Sequence, residues 1–179
     1  MLKLTIPKSE FYNERTEEFI YLDEVELQLE HSLESISKWE SKWNKPFLSS
    51  TDKTVEEIID YIRCMTLTEN VELDAYERLT ERNIKEINSY IDAPMTATTF
   101  NETNNRGGRD IITSEIIYYW MISFNIPFEC QYWHLNRLLA LIKVCNIKNN
   151  PPQKMSKQEV LARNKALNAQ RRQNLNTKG

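Results

Sequence analysis

The spacing of apolar side chains changes along the chain, and each change predicts an element. Leu2, Leu4 and Ile6 alternate with Lys3 and Thr5, a period of two that predicts a short strand ended by Pro7. The stretch "EEFIYLDEVELQLEH" repeats the pattern, with Val25, Leu27 and Leu29 on one face and Glu26, Gln28 and Glu30 on the other. It predicts two short strands around Asp23-Glu24, and so a small β-hairpin or sheet at the N-terminus. From "SLESISKWESKWNKPF" the period lengthens. Leu33, Ile36, Trp39 or Glu40, and Trp43 fall on one face of a helix that stops before Pro46.

Helical spacing then dominates. "TVEEIIDYIRCM" opens with Thr54 and Glu57 in capping-box positions, and Ile58, Ile59, Ile62 and Met65 form its expected apolar stripe. Weaker helices are expected across "DAYERLT" and across "RNIKEINSYI", where Ile84, Ile87 and Ile91 recur at three- and four-residue steps. Residues 92 to 112 lack a period, hold two of the three glycines, and read as a surface loop. Thr113 or Ser114 caps "EIIYYWMISF", with Ile116, Ile117, Trp120, Met121 and Phe124 on a broad apolar face. After the break Asn125-Ile126-Pro127, the segment "FECQYWHLNRLLALIKVC" reads as one continuous helix, with Leu135, Leu138, Leu139, Ile142 and Cys145 turned inward. Two apolar helices joined by so short a link should fold back as an antiparallel hairpin at the centre of the core.

The last segment differs in kind. Ser156 and Glu159 repeat the capping pattern, but Val160, Leu161, Leu167 and Leu175 are the large apolar residues of "KQEVLARNKALNAQRRQNLN". Alanine and long basic side chains favour helix, yet so thin a stripe buries little, and such a helix needs a surface to lean on. The expected architecture is therefore mainly α (α+β). Residues 1–150 form a helical domain with an N-terminal β element, and residues 151–179 a projecting basic helix or tail.

Charge sharpens this division. The formal net charge is -3, but residues 151 to 179 hold seven Lys or Arg against one acid, net +6, and the remaining residues carry 16 basic and 25 acidic groups, net -9. Three glycines are few for phosphate-cradling loops or dinucleotide fingerprints, which need positive φ. Three cysteines without a CxxC pair give no disulfide framework, and neither a secretory leader nor a bilayer-length apolar run is recognisable. The expectation is a soluble protein of a reducing compartment, without cofactor.

Candidate chemistry concentrates between residues 128 and 145. On a continuous helix Cys130 and His134 face the same side, as two zinc ligands or a nucleophile–base pair would. A closed zinc site needs four ligands, and no second ligand pair is present. A thiolate nucleophile needs an electropositive, partly open setting, which a leucine-rich helix does not offer. Core packing is the preferred reading, with His134, Asn136 and Arg137 at the polar margin and Arg137 pairing an acid. In Tyr118-Tyr119-Trp120 and Tyr132-Trp133, neighbours diverge on a helix, so one member is core; the other either packs with a hydrogen-bonded tip, the preferred reading, or anchors a partner. The basic tail, with Lys154, Lys157, Arg163, Lys165, Arg171 and Arg172, suits an acidic protein surface, its own body, plain solvation or phosphate. It has no aromatic residue to stack a base, so nucleic acid is the disfavoured partner.

The segments "LQLEHSLESISKWESKWNKPF", "YIRCM", "ITSEIIYYWMISFNIPFECQYWHLNRLLALIKVCNIKN" and "KMSKQEVLARNKALNAQRRQ" together resemble a group of small tailed-bacteriophage tail proteins, the tail assembly chaperones. The similarity runs from about residue 27 to residue 172, and the loop 92 to 110 is its least characteristic part. The resemblance implies a non-enzymatic factor of the host cytoplasm. It would bind the tape-measure protein, keep its long helices soluble and help the tail tube polymerise around it. No family motif marks a catalytic residue. The expected partner contacts are Trp133, Arg137, Arg163, Arg171 and Arg172. The β-rich start departs from a purely helical chaperone and keeps a permanent place in the virion tail as the alternative. A homo-oligomer stays open.

Overall fold

The computed structural model describes residues 1–13, 15, 17–100, 111–149 and 157–175. It is mainly α: seven α-helices and one 3-10 turn follow two short antiparallel strand pairs among the described residues. The strands are β1 (Leu2–Ile6), β2 (Ser9–Asn13), β3 (Glu18–Leu22) and β4 (Val25–Leu29). The helices are α1 (Leu33–Trp43), α2 (Val55–Met65), α3 (Leu73–Glu77), α4 (Glu81–Asp92), α5 (Ser114–Ser123), α6 (Leu135–Asn149) and α7 (Lys157–Leu175). The chain divides into two compact units, Met1–Cys145 and Asn146–Gly179. The capping residue Ser156 lies outside the described residues, as do residues 101–110 of the loop expected at 92 to 112.

The expected small β element is present at the N-terminus, with strands on either side of Asp23-Glu24. β3 and β4 do not form a hairpin around Asp23-Glu24; β1 pairs with β4, and β2, unforeseen, pairs with β3. Ile6 lies opposite Val25 and Ser9 opposite Leu22, so both pairs keep one register. They are the inner and outer arms of a single β-ribbon, and the chain reverses at its far end, between Asn13 and Glu18. Pro7, which has no N–H to give, breaks the ladder between the arms. Arg78 spans the break, donating from Nη1 to the carbonyls of Pro7 and Asp23, each at 3.1 Å.

The inner arm belongs to the core. Leu4, Ile6, Leu27 and Leu29 alternate into it and are buried. Its edges are covered: the segment leaving α2 bonds along β4 (Leu67 N–H to Gln28 O, 2.7 Å), and Asn83 of α4 reaches Thr5 O at 3.3 Å. Covered edges do not recruit stray strands.

Helix α1 is the hub, with α2, α5 and the 3-10 turn all packed on it. Leu33, Ile36 and Trp39 are fully buried along one face. Such side chains each contribute roughly 1.5–3 kcal/mol by leaving water. The Trp39 indole lies edge-on to Phe47 at 5.1 Å, and Phe47 meets Tyr61 at 3.9 Å. The predicted α5–α6 hairpin is therefore not the centre of the core; the more extensive packing is α1 on α2 and on α5.

Three helix starts carry reciprocal caps. Thr54 and Glu57 form the predicted box, and Ser32–Ser35 and Thr80–Asn83 form two that a search for Glu or Gln at the third position overlooks. On α2 the buried face runs through Glu57, Asp60, Tyr61, Ile62 and Met65, while Ile58 is exposed. With so little glycine, left-handed backbone falls to Asn44, Asn70 and Asn125, a residue type that tolerates it, and also to Glu17 and Met95.

Candidate protein-interaction surface

The expected helix over residues 128 to 145 is in fact three pieces. A 3-10 turn covers Phe128–Tyr132, Trp133 is extended (φ -72°, ψ 160°), and α6 begins at Leu135. Its breaking point is a tertiary contact. His134 pairs with Ser32 as an antiparallel bridge, and the Leu135 N–H bonds to the His31 carbonyl at 2.7 Å. Cys130 and His134 therefore do not share a helical face.

His134 does not sit at a polar margin either. The two histidines of the chain are buried against each other, ring centroids 5.2 Å apart. His31 Nδ1 meets Tyr61 Oη at 2.6 Å, and His134 Nε2 meets the Tyr90 carbonyl at 2.9 Å. Tyr90 donates to Glu30 at 2.6 Å, and Glu30 also receives the Met1 ammonium at 2.8 Å. Burial, and then the neighbouring His134, push the His31 pKa down to about 3. This knot locks the start of α6 onto the link between β4 and α1. Each group in it is already engaged, which suits structure better than proton transfer. Asn136 is similarly committed, donating to the carbonyls of Ile91 and Ala93 at 2.9 and 2.8 Å.

The buried carboxylates are committed too. Glu40 accepts from Phe47 N–H and, across the core, from Ser114 N–H, each at 2.7 Å. Thr113 makes no side-chain cap on α5, so a carboxylate from α1 takes that place at the positive end of the helix. Glu57 accepts from Lys45 and from Thr54 N–H, and the Lys45 hydrogen bond holds its carboxyl below the usual range. Burial would raise Asp60, but hydrogen bonds from Lys42 and Trp43 outweigh it and its pKa falls. An open groove of about 480 Å³ beside it, lined by Val55, Ile59, Leu73 and Tyr76, thus meets a carboxylate already neutralised by Lys42 and Arg63.

Cys130 is buried, and burial pushes its thiol up, away from the thiolate a nucleophile needs. Among the described residues no group of His, Cys, Asp and Glu is placed to hold a metal ion, and no helix is long and apolar enough to cross a membrane.

What the structure leaves uncommitted is aromatic surface. On α5, Tyr119 and Ile122 are 66 % and 59 % exposed on the side away from Ile117 and Met121. Tyr118 beside them is half-buried. Its ring lies 6.3 Å from Phe128, and its hydroxyl donates to Gln131 at 2.8 Å. Phe128 and Tyr132, on the 3-10 turn, are more than half exposed. Tyr119, Ile122, Phe128 and Tyr132 thus line an apolar face around Tyr118, with Glu115 and Glu129 exposed along it. Of each aromatic run at least one member faces solvent, but in the second it is Tyr132 more than Trp133. Trp133 is half-buried against the core, and Arg137 lies over its ring at 4.1 Å. Arg137 stacks on this aromatic face instead of pairing an acid, and none of the described ion pairs includes it.

The remaining expected contacts lie in the second unit. Arg163, Arg171 and Arg172 are exposed on α7, where every side chain from Leu161 to Arg172 is exposed. Structure brings Trp133 and Arg137 together, and groups the three arginines on one helix. Comparison with family models, with curated proteins and with solved structures returns no match.

Proposed function

We propose that this chain is a non-enzymatic factor of phage tail morphogenesis, a tail assembly chaperone that binds the tape-measure protein in the host cytoplasm. The observation that carries the reading is the exposed face of Tyr119, Ile122, Phe128 and Tyr132 on a well-anchored frame. Tyr and Phe give a partner large apolar area with little side-chain freedom to lose. Tape-measure chains are long and amphipathic, and an apolar face rimmed by Glu115 and Glu129 suits helices that carry basic flanks. Trp133 with Arg137 adds a margin to that face, and the arginines of α7 add a second, cationic contact for acidic segments. The sequence resemblance supports the same class.

Co-expression tests it. The tape-measure protein is expressed alone, with the wild-type chain, and with a Tyr119→Ser, Phe128→Ser, Tyr132→Ser variant. The wild type should raise its soluble fraction and the variant should not. Equal solubility in all three cultures rejects the chaperone role. A second reading, a permanent component of the tail, is favoured by the β-ribbon; it expects the protein in purified tails, where a chaperone is absent.

A further inference from the structure

The outer arm of the ribbon carries surface that no described element of its own unit covers. By register Tyr12 lies opposite Phe19 and Glu10 opposite Tyr21, so these four share one face. Tyr12 and Phe19 touch at 5.1 Å, and Tyr12, Phe19 and Tyr21 are 49 %, 60 % and 71 % exposed. A two-stranded pair by itself is marginal in water, so an arm with three exposed aromatics gains stability from an occupant. Its charge says which kind: between residues 8 and 24 there are six acids and two bases.

Helix α7 has the opposite character. Over its 19 residues it holds five Lys or Arg and one acid. Leu161, Lys165, Ala169 and Arg172 follow one another along one side of the helix, giving an apolar foot and two cations. A helix of this length, exposed throughout from Leu161 to Arg172, is marginal without a surface. It has no aromatic residue of its own, whereas cations on aromatic faces attract. Arginine in particular stacks flat on such rings.

We propose that the outer arm of the β-ribbon, through Tyr12, Phe19, Tyr21 and its acidic side chains, receives helix α7 of a second copy of this chain. The chain supplies both complementary halves. Each copy offers one arm and one helix, so the contact closes as a reciprocal dimer or continues head to tail. Nucleic acid is a poorer occupant for α7, because the net -9 of the rest of the chain repels phosphate. The inference goes beyond the chaperone reading and does not depend on which tail protein is bound.

Charge exchange at exposed positions tests it in the full chain. Sedimentation velocity over a dilution series should show reversible self-association that weakens with salt. Lys165→Glu with Arg172→Glu should give a monomer, and so should Glu10→Lys, which reverses the charge on the aromatic face itself. Mixing the two variants should restore a two-chain species, because each then offers what the other lost. Tryptophan fluorescence, which reports the body because all four tryptophans lie outside α7, should match the wild type in each variant. A wild type that stays monomeric overturns the proposal, as does association untouched by either variant. So does cross-linking of α7 to the arm of its own chain within a monomer, or association that appears only when nucleic acid is added.

Discussion

Acidification from pH 7 to pH 5 should cost this protein about 2 kcal/mol through one side chain, His31. In the folded chain its ring is buried between Tyr61 and His134, with Tyr90 and the Glu30–Met1 pair close by, and its pKa lies near 3. In the unfolded chain it returns to about 6.5. Between these values only the unfolded state takes up the proton, so stability is whole above pH 6.5 and is lost as pH falls towards 3. At pH 5 the unfolded chain gains about 2 kcal/mol from this proton, and at pH 7 only about 0.2 kcal/mol. The full loss, near pH 3, approaches 5 kcal/mol (about 3.5 units at 1.36 kcal/mol each). Asp60 and Glu57 have lowered pKa values, so their contributions fade at more acid pH, below this window. Urea unfolding followed by tryptophan fluorescence at both pH values measures the loss. A His31→Gln variant is less stable at pH 7, because the bond to Tyr61 is altered, but its loss on going to pH 5 should be smaller by about 2 kcal/mol. Parallel losses in variant and wild type would refute the reasoning, since they would mean that His31 takes up its proton equally well in both states.

Three further outcomes follow from the same contacts. Glu40→Ala strands the buried N–H of Ser114 and the part-buried N–H of Phe47 and should lower stability by about 3 kcal/mol, with faster hydrogen exchange at Ser114 than a mere loss of packing gives. Thr54→Ala removes one half of a reciprocal cap and should cost about 1 kcal/mol in urea midpoint terms, with Ser a better replacement than Val. Cys130 should react with a thiol reagent at neutral pH more slowly than a free cysteine and reach the free rate on unfolding; a fast rate in the folded protein would contradict the packing reading and revive a nucleophile.

What the sequence made legible was what repeats locally. Period-two and period-four patterns placed β1, β4, α1, α2, α4 and α5 close to their observed positions, because each buries a stripe that a local pattern encodes. Two kinds of feature escaped. Pairing across distance did, as when β2 seeks β3 and β1 seeks β4: alternation marks a strand, but only the reversal between Asn13 and Glu18 says which strand it meets. Tertiary overrides did as well. "FECQYWHLNRLLALIKVC" has helical propensity throughout, yet His134 leaves the helix to pair with Ser32, since the bridge and the buried histidine contact outweigh a few propensity terms of a few tenths of a kcal/mol. The aromatic runs left surface anchors open, and Tyr119 and Tyr132 were legible as alternatives within them. Only the extended backbone at Trp133 decides that Tyr132 faces outward more than Trp133 does. Nothing local announced that Glu40 caps a helix 74 residues away.

The central claim is that this chain works by holding another tail protein on an aromatic face. The most direct test is affinity capture from infected cells with wild-type protein and with the Tyr119→Ser, Phe128→Ser, Tyr132→Ser variant, followed by mass spectrometry. The account predicts that the wild type retains the tape-measure protein and that the folded variant loses it. Retention of assembled tail or baseplate proteins by both forms, without the tape-measure protein, would contradict it and make the chain a part of the finished tail.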